Sequence, residues 1–168
     1  MRRVAKVMVG VFAVLAVFGA AFTVAMRTKF PPFQNALRRF NRTVVNPDQM
    51  KTAGQPGAYA SVIRHVGRKS GTPYETPVQA RATDTGFVIP LPYGTTPDWY
   101  QNVLAAGSAT LVNEGSTFEV DHPELVSSTV AEPYILPDDL KTQRWLGIDE
   151  YLQLRRMAEA REEIAESV

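Results

Sequence analysis

Twenty consecutive residues near the start of the chain, Val7 to Met26 (VMVGVFAVLAVFGAAFTVAM), carry no charge. As a helix rising 1.5 Å per residue they span about 30 Å, the hydrocarbon thickness of a bilayer. A core helix this long and uniformly apolar is out of scale for a chain of 168 residues. A cleaved secretion signal has a shorter apolar region, roughly 7–15 residues, and Ala20-Ala21-Phe22 and Thr23-Val24-Ala25 match a cleavage site only weakly. A retained anchor over residues 1–29 accounts for the segment best. Arg2, Arg3 and Lys6 lie on its near flank. Arg27, Lys29, Arg38, Arg39 and Arg42 lie on its far flank, with no acid before Asp48. That excess of Lys and Arg predicts a single-pass protein of the cell membrane with its domain on the cytoplasmic side.

What remains is about 140 residues, the size of one domain. The net charge of +1 provides no field to draw the domain toward nucleic acid. With no cysteine in the chain, disulfides, thiolate catalysis and thiolate metal ligands are all excluded. The two histidines, His65 and His122, are too few for a metal site, so none is expected. There is no G-x-S-x-G, no paired carboxylate arrangement and no usefully spaced His-Asp pair, and hence no candidate catalytic side chain.

Residues 30–57 read as an amphipathic helix and linker. Pro31-Pro32 ends the anchor, and Phe33, Leu37, Phe40 and Val44 then recur at helical spacing, with Arg38, Arg39 and Arg42 toward another face. This helix either lies on the membrane surface with its arginines among acidic headgroups, or packs on the domain.

Residues 58–168 form the domain. Short β-branched and aromatic runs at 58–66, 76–83 and 87–91 predict three strands, and 108–113 with 116–120 flank Glu114-Gly115 as a hairpin. Between them Thr96 suits a helix N-cap, Pro97 the first helical position and Gly107 the C-terminal cap. Residues 137–165 read as one or two helices with a frayed end. The whole is an α+β chain, an antiparallel barrel or half-barrel with flanking helices behind one transmembrane helix.

Two segments combine features suited to a ligand. The turn Gly67-Arg68-Lys69-Ser70-Gly71 offers amides and two cations to an anion, and as a bland alternative is a solvated hairpin connection. Leu91 to Asn102 couples an aromatic loop to a helix N-terminus. Its alternative is a capped helix with Trp99 in the core.

Taken together, HVGRKSGTPYETPV and GTTPDWYQNVLAAG resemble the deazaflavin-dependent nitroreductase family of actinobacteria, relatives of the flavin-binding split β-barrels. The match covers roughly residues 56–126. The resemblance implies a small antiparallel split β-barrel that binds reduced 8-hydroxy-5-deazaflavin coenzyme and passes a hydride to a quinone-like or nitro acceptor, apolar and membrane-associated. It implies that Arg68, Lys69 and Ser70 hold the anionic tail, and that Thr76, Pro77 and Val78 lie along the ring. Pro92, Tyr93 and Gly94 border the cofactor, and Asp98, Trp99, Tyr100 and Asn102 close the site. Tyr93 and Tyr134 are the substrate-side candidates. FMN is the alternative cofactor. The alternative functions are a non-catalytic module of the same fold holding a lipid, flavin or tetrapyrrole, and an anchored interaction domain without a site. One departure stands out: Glu75 occupies a region where relatives carry an arginine, and its carboxylate is expected to repel an anionic tail.

Overall fold

The computed structural model describes residues 2–157, with side chains at Met8 and from residue 14 onward; the C-terminal part of the helical reading at 137–165 lies outside them. Helix α1 (Arg2–Arg27) is followed after a short turn by α2 (Pro31–Phe40), a π-helical turn (Asn41–Val45) and the short α3 (Asn46–Gln49). Pro31 and Pro32 open α2, where a missing amide costs no intrahelical bond. Among the described residues no single helix is long and apolar enough to cross a membrane. Val14–Arg27 and Pro31–Gln49 are so only as a pair, bent by 102°.

Seven strands follow: β1 (Ser61–Val66), β2 (Pro73–Val78), β3 (Arg81–Ala82), β4 (Gly86–Pro90), then α4 (Asp98–Ala106), β5 (Ser108–Asn113) and β6 (Ser116–Ser127). After α5 (Ser128–Ala131), a 3-10 turn (Glu132–Tyr134) and α6 (Pro137–Leu146), the described chain closes with β7 (Glu150–Arg156). All pairings are antiparallel in the order β2-β1-β5-β6-β7-β4-β3. β2 and β3 remain as edges, so the curled sheet is a half-barrel, in agreement with the expected α+β class. β6 bends to serve both β5 and β7 through an irregularity between Asp121 and Glu124, where His122 has a φ of 50°.

The core sits inside the curl. Ile63, Phe87, Ile89, Leu111, Leu152 and Leu154 are almost fully buried, with Tyr100 and Val103 of α4 packed onto them. Each such side chain contributes roughly 1.5–3 kcal/mol. A second cluster on the outer face joins Val88 and Tyr151 to Ala131 and Ile135. Alternation along β4 and β7 therefore buries both faces of these two strands.

This double burial corrects the C-terminal expectation. The helix ends at Leu146, Gly147 takes the left-handed conformation, and residues 150–156 run as a strand between β6 and β4. The α4 boundary also differs by one position. Pro97 is the N-cap, and Thr96 hydroxyl bonds Arg38 and the Tyr93 carbonyl instead of capping.

The end of α1 is fastened to the domain. Arg27 Nη1 donates to the carbonyls of Arg144 and Trp145 at 3.2 and 3.1 Å, and Lys29 Nζ lies 2.7 Å from Glu150. The segment after α1 packs on the domain as well, since Arg38 Nη1 donates to Thr96 Oγ1 at 2.7 Å and Asn41 Nδ2 to Tyr93 Oη. Of the two placements open for this helix, the described contacts are those of packing on the domain.

Candidate functional site

The β1–β2 hairpin turn, the Leu91–Pro97 loop, the start of α4, α2 and α6 line an open cavity of about 1350 Å³. Its volume exceeds the roughly 300–1,000 Å³ of ordinary small-molecule pockets. Two short-range devices shape it. Gly94 takes a φ of 64° and its amide donates to the Leu91 carbonyl at 2.9 Å, folding the loop back over the end of β4. In the hairpin turn the Gly67 amide donates to the Thr72 carbonyl at 2.8 Å, and the Thr72 amide to Ser70 Oγ at 3.3 Å. The amides of Gly67, Gly71 and Thr72 are used within the turn, and that of Arg68 goes to Asn102. Those of Lys69 and Ser70 have no acceptor among the described residues.

Every residue that the resemblance placed on the cofactor lines this cavity, except Tyr100. Tyr100 is 2% exposed and belongs to the core; α4 turns Trp99 and Asn102 toward the cavity and Tyr100 inward. Tyr134 lies elsewhere too. Its hydroxyl donates to Asp84 at 3.2 Å beside the outer cluster, so it is no longer a substrate-side candidate. Tyr93 does line the cavity. Burial raises its phenol pKa, so it stays protonated, and with Asn41 donating to its oxygen the O–H remains available.

Among the cations that line the cavity, Arg68 is the one bonded to a carboxylate among the described residues. Its Nη1 lies 3.0 Å from Asp98 Oδ1 and donates to Asn102 Oδ1 at 2.9 Å, while its backbone amide donates to the same oxygen at 3.1 Å. Asn102 is buried, and with its oxygen committed to Arg68 its amide nitrogen faces His65 Nδ1 at 3.1 Å. His65 Nδ1 must therefore accept, leaving the proton on Nε2 to donate to Thr76 Oγ1 at 3.1 Å. The ring stacks on Tyr74 with centroids 5.7 Å apart. Burial lowers the His65 pKa, with the Asp98 charge opposing, and keeps the ring neutral. Strand, turn and helix are thus joined by one relay that composition alone did not reveal.

The expected repulsion at Glu75 is offset, because Arg64 Nε lies 2.8 Å from its carboxylate. Asp139 is likewise held by Arg81 at 2.6 Å. Sequence reasoning also missed Arg38, Arg39 and Arg42 as lining residues, having weighed them only as a helix face. Among the described residues no cluster of His, Asp and Glu could hold a metal ion.

No protein-family model matches the chain, and no curated protein matches it. Among solved structures it is similar to an "F420 Reductase" at 13% identity and a TM-score of 0.43, covering 64% of this chain and 92% of that one. It is similar to a "F420-H2 Dependent Reductase (FDR-A)" at 16% identity and a TM-score of 0.38, covering 56% and 92%. A third, described as a domain-swapped dimer, aligns at 13% identity and a TM-score of 0.44, covering 70% and 96%. Two of the three are named as F420 reductases. At such identities and scores nothing about the site follows from them.

Proposed function

We propose that this chain is a membrane-anchored oxidoreductase that holds reduced 8-hydroxy-5-deazaflavin coenzyme and delivers its hydride to a quinone-like or nitro acceptor. The observation that carries the proposal is that two segments far apart in sequence, the basic turn and the Pro92–Asn102 stretch, converge on one cavity. The residues suit the coenzyme. Lys69 and the two unused amides of the turn match an anionic tail, and Pro77, Val78, Pro92 and Trp99 offer flat apolar surface to a planar ring. When bound, the coenzyme supplies the hydride, and the protein's part is to bind, orient and keep water out. Arg68, locked by Asp98 and Asn102, orients the tail. The Tyr93 hydroxyl is placed to donate to an acceptor oxygen. His65, engaged at both nitrogens, is a support for the turn and not a proton donor to substrate.

Fluorescence titration with the deazaflavin coenzyme and, in parallel, with FMN tests this reading. Tighter binding of FMN would overturn the cofactor assignment. Binding of the deazaflavin without oxidation by any quinone or nitro compound would favour the non-catalytic alternative. Replacing Arg68 and Lys69 with glutamine is expected to weaken coenzyme binding at least about tenfold at low salt, as two charge-assisted contacts are lost, and less at high salt. An unchanged affinity returns the turn to a plain hairpin connection.

The anchor belongs to the same reading. Val14, Leu15, Val17, Phe18 and Val24 of α1 are each more than half exposed, apolar surface that lipid would cover. Full-length protein should remain with membranes through a carbonate wash, and its release would mean that α1 does not span. A reporter fused after Val168 should be active on the cytoplasmic side.

A further inference from the structure

The cavity carries more positive charge than the basic turn accounts for. Three acids line it, Glu75, Asp98 and Asp139, and each is bonded to an arginine: Arg64, Arg68 and Arg81 respectively. Of the five cations that line it, Arg38, Arg39, Arg42, Arg68 and Lys69, only Arg68 has a carboxylate partner among the described residues. Arg38 is spent on position, bonded to Asn35 and, at 2.7 Å, to Thr96. Together with the Asn41–Tyr93 bond it fixes this helical segment against the loop that borders the cavity. Arg39 and Arg42, both exposed, follow at a spacing of three on neighbouring positions of one helical face, where like charges disfavour one another and an anion between them relieves the repulsion. Arg42 sits in the π-helical turn, a local irregularity that is frequent at functional sites.

We infer that Arg39 and Arg42 are the second wall of the anion site, holding from the N-terminal side a multiply charged tail whose other side rests on Lys69. This deepens the proposed function and rests on it for the coenzyme, but not for the anion. A single phosphate at Lys69 leaves the two arginines that line the same cavity without a counter-charge among the described residues. A ligand with several separated charges, a phosphodiester continued by carboxylates, fits both walls. Lipid headgroups share that chemistry, and α2 follows the anchor directly. The arginines, however, line the cavity together with the turn, which selects a ligand that enters it.

The test uses the full chain in phosphatidylcholine nanodiscs, which carry no net charge, and compares R39Q/R42Q with K51Q/K141Q. The second pair removes the same charge at exposed positions that do not line the cavity. At low salt R39Q/R42Q is expected to raise the Kd for the coenzyme at least about tenfold and the control less than about twofold. Coenzyme trimmed before its phosphate should distinguish R39Q/R42Q from wild type by less than about twofold. Equal losses in the two double variants, or an equal loss for the trimmed form, overturn the inference. So does an unchanged coenzyme affinity, above all if R39Q/R42Q loses nuclear magnetic contacts to headgroup phosphate in phosphatidylglycerol nanodiscs. If the wild type binds no coenzyme, the proposed function falls, and tripolyphosphate decides the inference alone. Binding by wild type that R39Q/R42Q abolishes supports it, and no binding overturns it.

Discussion

Replacing Gly86 with alanine is expected to destabilise the domain by at least about 3 kcal/mol, toward the upper end for a single added methyl group. The β-carbon would lie 2.0 Å from the Leu154 carbonyl oxygen and 2.9 Å from both Arg155 Cα and the Arg156 amide. All three are backbone atoms, so no side chain can rotate aside. β7 cannot retreat, because its other edge is registered to β6 through Val120↔Arg156 and Asp121↔Arg155. β4 cannot retreat either, since Gly86 is tied to Thr83 through both its amide and its carbonyl, and Phe87 beside it is 1% exposed in the core. The melting midpoint should fall by roughly 10 °C or more, and ligand binding with it, since Ile89 and Pro90 of the same strand line the cavity. A fall of less than about 3 °C would show that β4 and β7 do not meet at Gly86 as described.

That contact lies where the sequence was hardest to read. The hairpins around residues 67–72 and 114–115 and the helix ending at Gly107 were legible because turn glycines and alternating strands are local signals. β7 was not. Its Tyr151 faces one apolar cluster while Leu152 and Leu154 face the other, so alternation disappears and the run looks helical. Burial on both faces is decided by α5 and α6, which no window of sequence around residue 152 contains. The same limit explains Tyr100 and Asn102. Both stand in one motif two positions apart, and the turn of α4 sends one to the core and the other to the cavity. The residues of the turn and of the 92–102 stretch that share the cavity were legible as a set. The lining by Arg38, Arg39 and Arg42 depends on a long-range contact between Arg38 and Thr96, 58 positions apart.

The relay from His65 through Asn102 to Arg68 makes a sharper claim, because its donors and acceptors leave one consistent arrangement. Asn102 to alanine removes the acceptor of the Arg68 amide, which is part-buried, and the donor to His65 Nδ1, which is buried. Each unsatisfied group costs about 1–3 kcal/mol, so a loss of roughly 2–4 kcal/mol is expected, with weakened coenzyme binding as the turn loosens. Asn102 to aspartate is more informative. A carboxylate still accepts from Arg68, but it turns an oxygen toward His65 Nδ1, and two acceptors at 3.1 Å demand a proton between them. In the wild type the His65 pKa is lowered by burial, so the folded state disfavours the proton. Its contribution to stability is full above the unfolded value of about 6.5 and is lost as pH falls below it toward the folded pKa, since the unfolded chain binds more protons there. In the aspartate variant the folded pKa moves above the unfolded value, with Asp98 reinforcing the shift and Arg68 opposing it. The sign reverses: the contribution is full below about pH 6.5 and is lost as pH rises through the folded pKa. Melting curves at about pH 5 and about pH 7.5, with the His65 ring resonances followed across the same range, report both slopes. Parallel pH dependence in wild type and variant would mean that the Asn102 nitrogen does not face His65, and the fixed position of Arg68 would lose its explanation.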